Sequence, residues 1–323
     1  MVRMLVCFAF SISLLASARM MSVAPDGSAD FSSVQAAIDS IPSGSDEPSI
    51  ILIRAGRYDE VVRVPADKKG VRLVGRDAVK TVITHGLGAR MKGPDGKELG
   101  TFRTPSVYIN GDDFLARNIT FENSAGDVGQ AVAIAVSGDR CRFIGCRFLG
   151  WQDTIFDDKG RHYYQDCYIE GSCDYIFGGA VSYFKNCELY NKKNSYITAA
   201  STPQDEPFGY VFDGCKITAA EGVKMMLGRP WRDYAAVLFM NCDMDDCIRP
   251  EGWHNWSRPE REKTARYAEF GNTGPGANTE YRVDWAKQLT AGEAAKITPQ
   301  SVLGGKDKWD PTKRPDGWKR PRS

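Results

Sequence analysis

The sequence FIGCRF at Phe143–Phe148 places a cysteine between two bulky apolar side chains, one three positions before it and one two positions after it. Four later segments repeat this pattern, and LARNIT at Leu115–Thr120 is a degenerate earlier copy. The later copies are YQDCYI at Tyr164–Ile169, FKNCEL at Phe184–Leu189, FDGCKI at Phe212–Ile217 and FMNCDM at Phe239–Met244. Successive cysteines are 21, 20, 28 and 27 residues apart, which is the period of a solenoid repeat.

The segments between the cysteines are short and rich in β-branched and aromatic residues, with Gly and Asn at their ends. This composition indicates strands rather than helices. A strand-rich repeat of this length fits one coil of a parallel β-helix, with the longer coils carrying loops. We therefore predict an all-β fold in which neighbouring coils lie about 4.8 Å apart and equivalent residues stack in columns.

Cysteines at equivalent positions of successive coils would form an internal column of small apolar side chains. Neighbouring thiols at the coil spacing also fall within the Cα separation that a disulfide allows. Both a bridge, with Cys167 and Cys187 as the first pair to test, and an unbridged column stay open at this point. Apart from Cys7, the chain has eight cysteines, at positions 141, 146, 167, 173, 187, 215, 242 and 247.

Both ends of the repeat region have a distinct character. Apolar residues at helical spacing in Ser32–Ile41, with Ser ahead as a cap, predict a short helix that covers the open end of the solenoid. Ile50–Ile53 and Val71–Gly75 read as early strands. After Cys247 the repeat is lost, and a short helix is expected from Thr290 to Ala295. The basic, Pro-rich tail at 306–323 is expected to pack loosely or to be disordered.

The N-terminus has the features of a secretory signal peptide. Arg3 precedes an apolar run from Met4 to Leu15, and Ala16-Ser17-Ala18 is a small-x-small cleavage site. We expect residues 1–18 to be removed and the protein to be soluble and secreted, either extracellular or periplasmic in a Gram-negative bacterium. No other segment is long enough to span a bilayer. The net charge of +1 gives no sign of a nucleic acid or membrane partner.

Two amides and two carboxylates recur at the length of one coil. Gln130, Gln152 and Asp174 are separated by 22 residues each, and Asp153 precedes Asp174 by 21. On a β-helix the two aspartates would have backbones about 5 Å apart, so that one pKa rises and that group can act as an acid. The glutamines offer neutral donors for an oxyanion. From spacing alone, a structural ladder of polar residues at turns is an equal alternative.

Five blocks of the chain, in the same order, resemble those of pectin methylesterases, which demethylate homogalacturonan. The resemblance runs from about Val23 to Gly305 and implies a right-handed, single-stranded parallel β-helix of the pectin lyase-like type, in a short form without an inhibitor-like pro-region. It also implies a catalytic domain at 19–305. The blocks are Gly56–Glu60, Gln130–Ala133, Gln152–Thr154, Asp174–Gly178 and Leu227–Trp231.

The resemblance also implies roles for individual residues. Asp174 matches the nucleophile of the family, and Asp153 matches the proton donor and later base. Gln152 matches the transition-state stabiliser, Gln130 a substrate-binding amide that supports it, and Arg229 the arginine that orients the nucleophile.

Other positions match the substrate groove of the family. Thr101 and Phe102 resemble a Thr-Phe pair near the cleft, and Trp231 an aromatic that contacts the sugar chain. Gly252-Trp253, with Trp256, resembles a late block whose first Trp lines the groove. Phe156 stands where many members carry Tyr. Two further departures are Tyr175, where Phe is commoner, and Cys173 directly before the nucleophile, where a β-branched residue is usual.

Competing functions lack their motifs. A serine esterase needs a Ser–His pair, but the chain has three histidines and no Gly-x-Ser-x-Gly elbow. The cysteines occur one per coil rather than as Cys-x-x-Cys pairs, which disfavours a metal site, and the resemblance implies no cofactor. A pectate lyase, a polygalacturonase or a secreted β-helix that only binds polysaccharide are the remaining alternatives. We expect a monomer whose partner is pectin.

Overall fold

The computed structural model describes residues 19–45 and 47–313. Over these ranges the chain winds as a right-handed parallel β-helix whose coils build three parallel sheets, A, B and C. The all-β prediction is confirmed. The predicted signal peptide at 1–18 and the last part of the tail, 314–323, lie outside the described residues. None of the described helices is long and apolar enough to cross a membrane.

Sheet A has eleven strands and receives the first half of each cysteine repeat. The strands predicted at Ile50–Ile53 and Val71–Gly75 are its second and third members. Its strands are β1 (Arg19–Val23), β2 (Ser49–Ile53), β5 (Val71–Gly75), β8 (Leu115–Arg117), β11 (Cys141–Ile144), β14 (Arg161–Gln165), β17 (Val181–Lys185), β20 (Tyr210–Asp213), β23 (Ala236–Met240), β25 (Arg266–Phe270) and β26 (Lys287–Gln288).

Sheet B has eight strands and receives the second half of each repeat. Its strands are β3 (Gly56–Asp59), β6 (Thr81–His85), β9 (Thr120–Asn123), β12 (Arg147–Leu149), β15 (Tyr168–Gly171), β18 (Glu188–Asn191), β21 (Lys216–Ala219) and β24 (Asp243–Met244).

Sheet C has seven strands, and the polar residues that recur at the coil period lie just before three of them. Its strands are β4 (Val62–Val64), β7 (Val107–Ile109), β10 (Ile134–Val136), β13 (Ile155–Asp157), β16 (Ile176–Gly178), β19 (Ser195–Ala200) and β22 (Met225–Gly228).

The turn from sheet A to sheet B explains the composition of the repeat. The residue directly before the cysteine of each copy has a positive φ, between 52° and 65°. Glycine adopts this left-handed conformation freely, and Asn and Asp adopt it at lower cost than other residues. The turn bends the chain and directs the cysteine side chain into the core. In the five repeats, the residues at this position are Gly145, Asp166, Asn186, Gly214 and Asn241.

Two columns of side chains fill the core, one from residues before this turn and one from residues after it. The bulky residues that open the five repeats stack ring on ring, with centroids 4.8, 4.5, 4.5 and 4.3 Å apart from Phe143 to Phe239. The cysteines of the repeats form the second column. All eight cysteines of the described residues are free thiols, so the core holds an unbridged column and Cys167 and Cys187 are not joined.

Short helices cover the ends of the solenoid. The predicted N-terminal helix is α1 (Val34–Asp39), whose N-cap Ser33 accepts the N–H of Ala36 at 3.1 Å. The helix buries its own residues Val34, Ala37 and Ile38 against the end of the solenoid and so shields the first coil from solvent. The later helices are α2 (Ala291–Ala294), capped by Thr290, and α3 (Pro299–Leu303), and single 3-10 turns occur at Thr101–Arg103, Pro259–Lys263 and Pro275–Ala277.

The expectation of a loosely packed tail is wrong for its first part. Trp309 is buried against the outer face of sheet A together with Val302 and Leu303. Asp307 forms salt bridges with Arg161 at 2.6 Å and with Arg140 at 3.4 Å. Residues 306–313 are therefore packed onto the β-helix through an indole and a charge network, neither of which composition alone can predict.

Candidate active site

Asp153 and Asp174 lie side by side where two consecutive coils enter sheet C. Each lies two residues before the start of a strand, β13 or β16, and each has a positive φ, 66° and 46° respectively. The N–H of Asp153 donates to the carbonyl of Cys173 at 3.0 Å, and that of Asp174 donates to Tyr196 at 2.8 Å. Aspartate tolerates this conformation because its short polar side chain adds little steric strain. The register between the two coils therefore places the two carboxylates next to each other, as predicted.

Arg229 follows directly after strand β22, two coils further on. Its Nε lies 2.9 Å from Oδ1 of Asp174 and its Nη2 lies 2.6 Å from Oδ2, so the pair is bidentate. The N–H of Arg229 donates to the carbonyl of Thr198 at 3.0 Å, which fixes the start of the side chain. A bidentate guanidinium both neutralises a carboxylate and sets its orientation.

The two carboxylates differ in their electrostatic environment. Asp153 and Asp174 are 7% and 6% exposed. Burial and the neighbouring charge of Asp174 raise the pKa of Asp153 well above its usual range, and the charge of Arg229 and the hydrogen bond from Gln152 offset only part of this. Burial also raises the pKa of Asp174, but hydrogen bonding and charge from Arg229 oppose it. The arrangement favours a proton on Asp153 and a negative charge on Asp174.

Gln130 and Gln152 form the adjoining column. Parallel bridges join Gln130 to Gln152 and Gln152 to Cys173, which places both amides one residue before the level of the aspartates. Both side chains are partly exposed, and that of Gln152 hydrogen-bonds to Asp153. Amide N–H donors at the edge of a carboxylate pair suit an oxyanion that forms there.

An aromatic row runs across sheet C beside the carboxylates. The ring of Phe102 lies 5.0 Å from that of Phe156, Phe156 stacks on Phe177 at 4.8 Å, and Phe177 meets Trp231 edge-on at 5.9 Å. Phe156 and Phe177 are in register on neighbouring strands. Phe102 is 54% exposed, and Thr101 beside it is partly buried. The row includes Phe177, which the sequence analysis missed although it lies one coil after Phe156.

Trp253 does not line this surface, and its predicted position is wrong. It is 1% exposed, packs against Tyr267 in the core with ring centroids 4.4 Å apart, and donates its Nε1–H to Glu269 at 3.1 Å. The tryptophan of this block that reaches the site is Trp256, whose indole lies against Arg229. The repeat could not predict that Trp256 rather than Trp253 reaches the site, because both residues lie after the last repeat.

No group of three or more His, Cys, Asp or Glu side chains is arranged to hold a metal ion anywhere in 19–45 or 47–313. The site as described thus consists of two carboxylates, two amides, one guanidinium and a neighbouring row of rings.

Comparison with known proteins assigns the family. The pectinesterase family model matches residues 20–306. Pectinesterase 31 of Arabidopsis thaliana is 42% identical over 301 residues, which cover 90% of this chain and 93% of that protein. Among solved structures, pectin methylesterase from carrot superimposes with a TM-score of 0.83 at 33% identity, over 89% of this chain and 93% of that one. Pectin methylesterase from Erwinia chrysanthemi gives 0.80 at 29% identity, over 92% and 99%. The chain belongs to the pectinesterase family.

Proposed function

We propose that this protein hydrolyses the C6 methyl esters of homogalacturonan, releasing methanol and leaving de-esterified pectin. The observation that carries the proposal is the unequal pair of aspartates. A carboxylate held by a bidentate arginine is suited to attack, and a buried neighbour with a raised pKa is suited to give a proton. A pectin methylesterase with 28% identity and a TM-score of 0.81 has been solved in complex with a hexasaccharide, which supports a pectin chain as the substrate.

The first half of the reaction forms an acyl-enzyme. A carboxylate oxygen of Asp174 attacks the ester carbonyl carbon, and the electron pair of the C=O bond moves onto oxygen. The amide N–H groups of Gln152 and Gln130 donate to this oxyanion. When the intermediate collapses, the bond to the methoxy oxygen breaks and Asp153 gives that oxygen its proton, so that methanol leaves.

The second half restores the enzyme. Asp153, now ionised, takes a proton from water, and the hydroxide attacks the acyl carbon. Collapse of this second intermediate breaks the bond to Asp174 and leaves a free carboxylic acid on that unit of the sugar chain, which ionises. Asp153 ends protonated and Asp174 ends as a carboxylate, so both groups are ready for the next ester.

The aromatic row supports a role in holding the sugar chain. Phe102, Phe156 and Trp231 present ring surface beside the carboxylates, and sugar rings pack their C–H faces on such surfaces. Thr101 lies at the start of this row. We include in this proposal that the protein is exported after removal of residues 1–18 and acts as a monomer.

The deciding experiment is methanol release from highly methylated pectin, with product size followed by gel filtration. We expect methanol without chain shortening, and a loss of at least about 10³-fold in Asp174→Asn. Asp246→Asn, at an exposed carboxylate paired with Lys224, is the matched control and should keep wild-type activity. Chain shortening would favour a lyase or a polygalacturonase, and binding of pectin without methanol release would favour a polysaccharide-binding protein.

A further inference from the structure

The guanidinium of Arg229 is packed between two aromatic rings. Its central carbon lies 4.0 Å from the ring centroid of Tyr196 and 3.8 Å from that of Trp256. Because this carbon lies over both rings, the two aromatic side chains flank the guanidinium. Between the rings, Nε and Nη2 of the guanidinium carry the two hydrogen bonds to Asp174. Such stacking is favourable both as cation–π attraction and as burial of a weakly hydrated cation.

The backbone at Trp256 is strained in order to reach this position. Trp256 and Ser257 have φ values of 62° and 54°, in the left-handed region that bulky side chains rarely adopt. Asn255 holds the turn from both sides: its Oδ1 accepts the N–H of Ser257 at 2.9 Å, and its Nδ2 donates to Glu262 at 2.7 Å. Strained backbone of this kind persists where its surroundings fix it, and it concentrates at functional sites.

The segment that carries Trp256 is attached to the strand end that carries Arg229. Trp253 anchors it in the core and forms a parallel bridge with Gly228. The N–H of His254 donates to the carbonyl of Gly228 at 3.1 Å, and Nδ1 of His254 accepts the N–H of Trp256 at 3.0 Å. The indole and the guanidinium are therefore positioned by a common backbone support.

We propose that Tyr196 and Trp256 are positioning residues that clamp Arg229 and thereby keep Asp174 ionised and correctly oriented for attack. The inference rests on the proposed function. Its physical basis is that burial raises the pKa of Asp174 and the hydrogen bonds and charge of Arg229 oppose this rise. A guanidinium that is free to rotate makes two well-aligned hydrogen bonds less of the time, so the carboxylate gains a proton at a higher pH.

The test compares variants that remove a ring with variants that keep one. Tyr196→Leu and Trp256→Leu should each lower kcat about tenfold, an effect between those expected for an exposed and for a fully desolvated cation–π contact. They should also move the acid limb of the kcat/KM profile to higher pH, because that limb follows the ionisation of Asp174. Tyr196→Phe and Trp256→Phe should restore most of the rate and the position of the limb.

Trp231→Leu is the matched control, since Trp231 packs on Phe177 and not on Arg229. It should raise KM and leave the acid limb in place. If the leucine variants of Tyr196 and Trp256 behave in the same way, the rings contact sugar and the clamp is refuted. Thermal unfolding checks each variant, and if Trp256→Leu does not fold, Tyr196→Leu decides alone. A wild-type protein that releases no methanol would refute the proposed function instead.

Discussion

Asp153 and Asp174 occupy equivalent positions on consecutive coils, and both have a left-handed backbone, yet the salt bridge of Arg229 goes to Asp174. The repeat therefore supplies two similar carboxylates, and a residue two coils away makes them different. A single cation is enough for this because the charged forms of two adjacent buried carboxylates repel each other strongly. The division into nucleophile and proton donor follows from where the arginine lies.

The first prediction concerns the proton on Asp153. In Asp174→Asn the pKa of Asp153 should fall, because the charge of Asp174 is one of the two causes that raise it and Arg229 remains nearby. Burial keeps the value above that of an exposed aspartate. Carboxyl ¹³C NMR titration of wild type and variant measures the change. An unchanged or higher pKa of Asp153 in the variant would show that the two carboxylates do not interact.

The second prediction concerns the oxyanion donors. Gln152→Ala should lower kcat about 10²–10³-fold, the usual effect of losing one such donor. KM should change much less, since the oxyanion exists only after attack. Gln165→Ala, at a glutamine whose side chain bonds to Asp166 on the surface, is the control and should match wild type. A Gln152 variant that loses affinity but keeps kcat would mean that the amide binds the ground state.

The position of the two aspartates could be predicted from sequence because two sets of residues, the cysteines and the polar residues, recur at a similar period. The cysteine steps give the length of a coil, and a polar pair 21 residues apart then has to lie on neighbouring coils. The ring column from Phe143 to Phe239 follows from the same repeat. Identity of the nucleophile did not follow from the spacing, because equivalent positions in a repeat look alike until the arginine is placed.

The repeat could not predict which of Trp253 and Trp256 faces the site. Both tryptophans lie in an irregular segment, and which one faces the site depends on the left-handed turn at Trp256 and Ser257. Neither Trp nor Ser favours a left-handed backbone, so local sequence preference does not predict this turn. The turn is fixed by tertiary contacts, namely the anchoring of Trp253 in the core and the bonds of Asn255.

The third prediction concerns the end of the chain. Asp307 accepts hydrogen bonds from Arg161, and this interaction lowers the pKa of Asp307. Asp307→Ala should lower the free energy of unfolding by about 1 kcal/mol, the upper range for a partly exposed ion pair that belongs to a network. Asp246→Ala, which removes an isolated exposed pair with Lys224, should have no measurable effect. Urea unfolding compares the two, and equal effects would mean that the network adds nothing.

The fourth prediction concerns the thiols. A chain that begins at Arg19 should titrate eight free thiols after denaturation without a reductant, and few of them should react in the folded state, because all but Cys173 are buried. Burial raises the pKa of the Cys173 thiol to about 12, so alkylation at neutral pH should leave activity intact. Fewer than eight thiols, with a mass lower by 2 Da per missing pair, would reveal a disulfide.

The last prediction concerns a buried ion pair outside the active site. Nδ1 of His162 lies 2.5 Å from Oδ1 of Asp157, and its Nε2 lies 2.8 Å from the carbonyl oxygen of Gly138. Both nitrogens face acceptors, so both carry protons and the ring is an imidazolium. Burial alone would lower the pKa of His162, but the charge and hydrogen bond of Asp157 outweigh it and the pKa is raised.

Removing one partner of such a pair leaves a buried charge, so His162→Ala should cost about 3–5 kcal/mol of unfolding free energy. His85→Ala is the control: His85 also contacts an aspartate, Asp59, at 2.8 Å, but its side chain is 35% exposed, and the cost should stay within about 0.5 kcal/mol. Because the folded pKa of His162 lies above the unfolded value of about 6.5, its stabilisation is complete below that pH and is lost as the pH rises through the folded pKa. Urea unfolding of wild type and His162→Ala across this range should therefore converge as the pH rises, and parallel curves would mean that folding does not raise the pKa of His162.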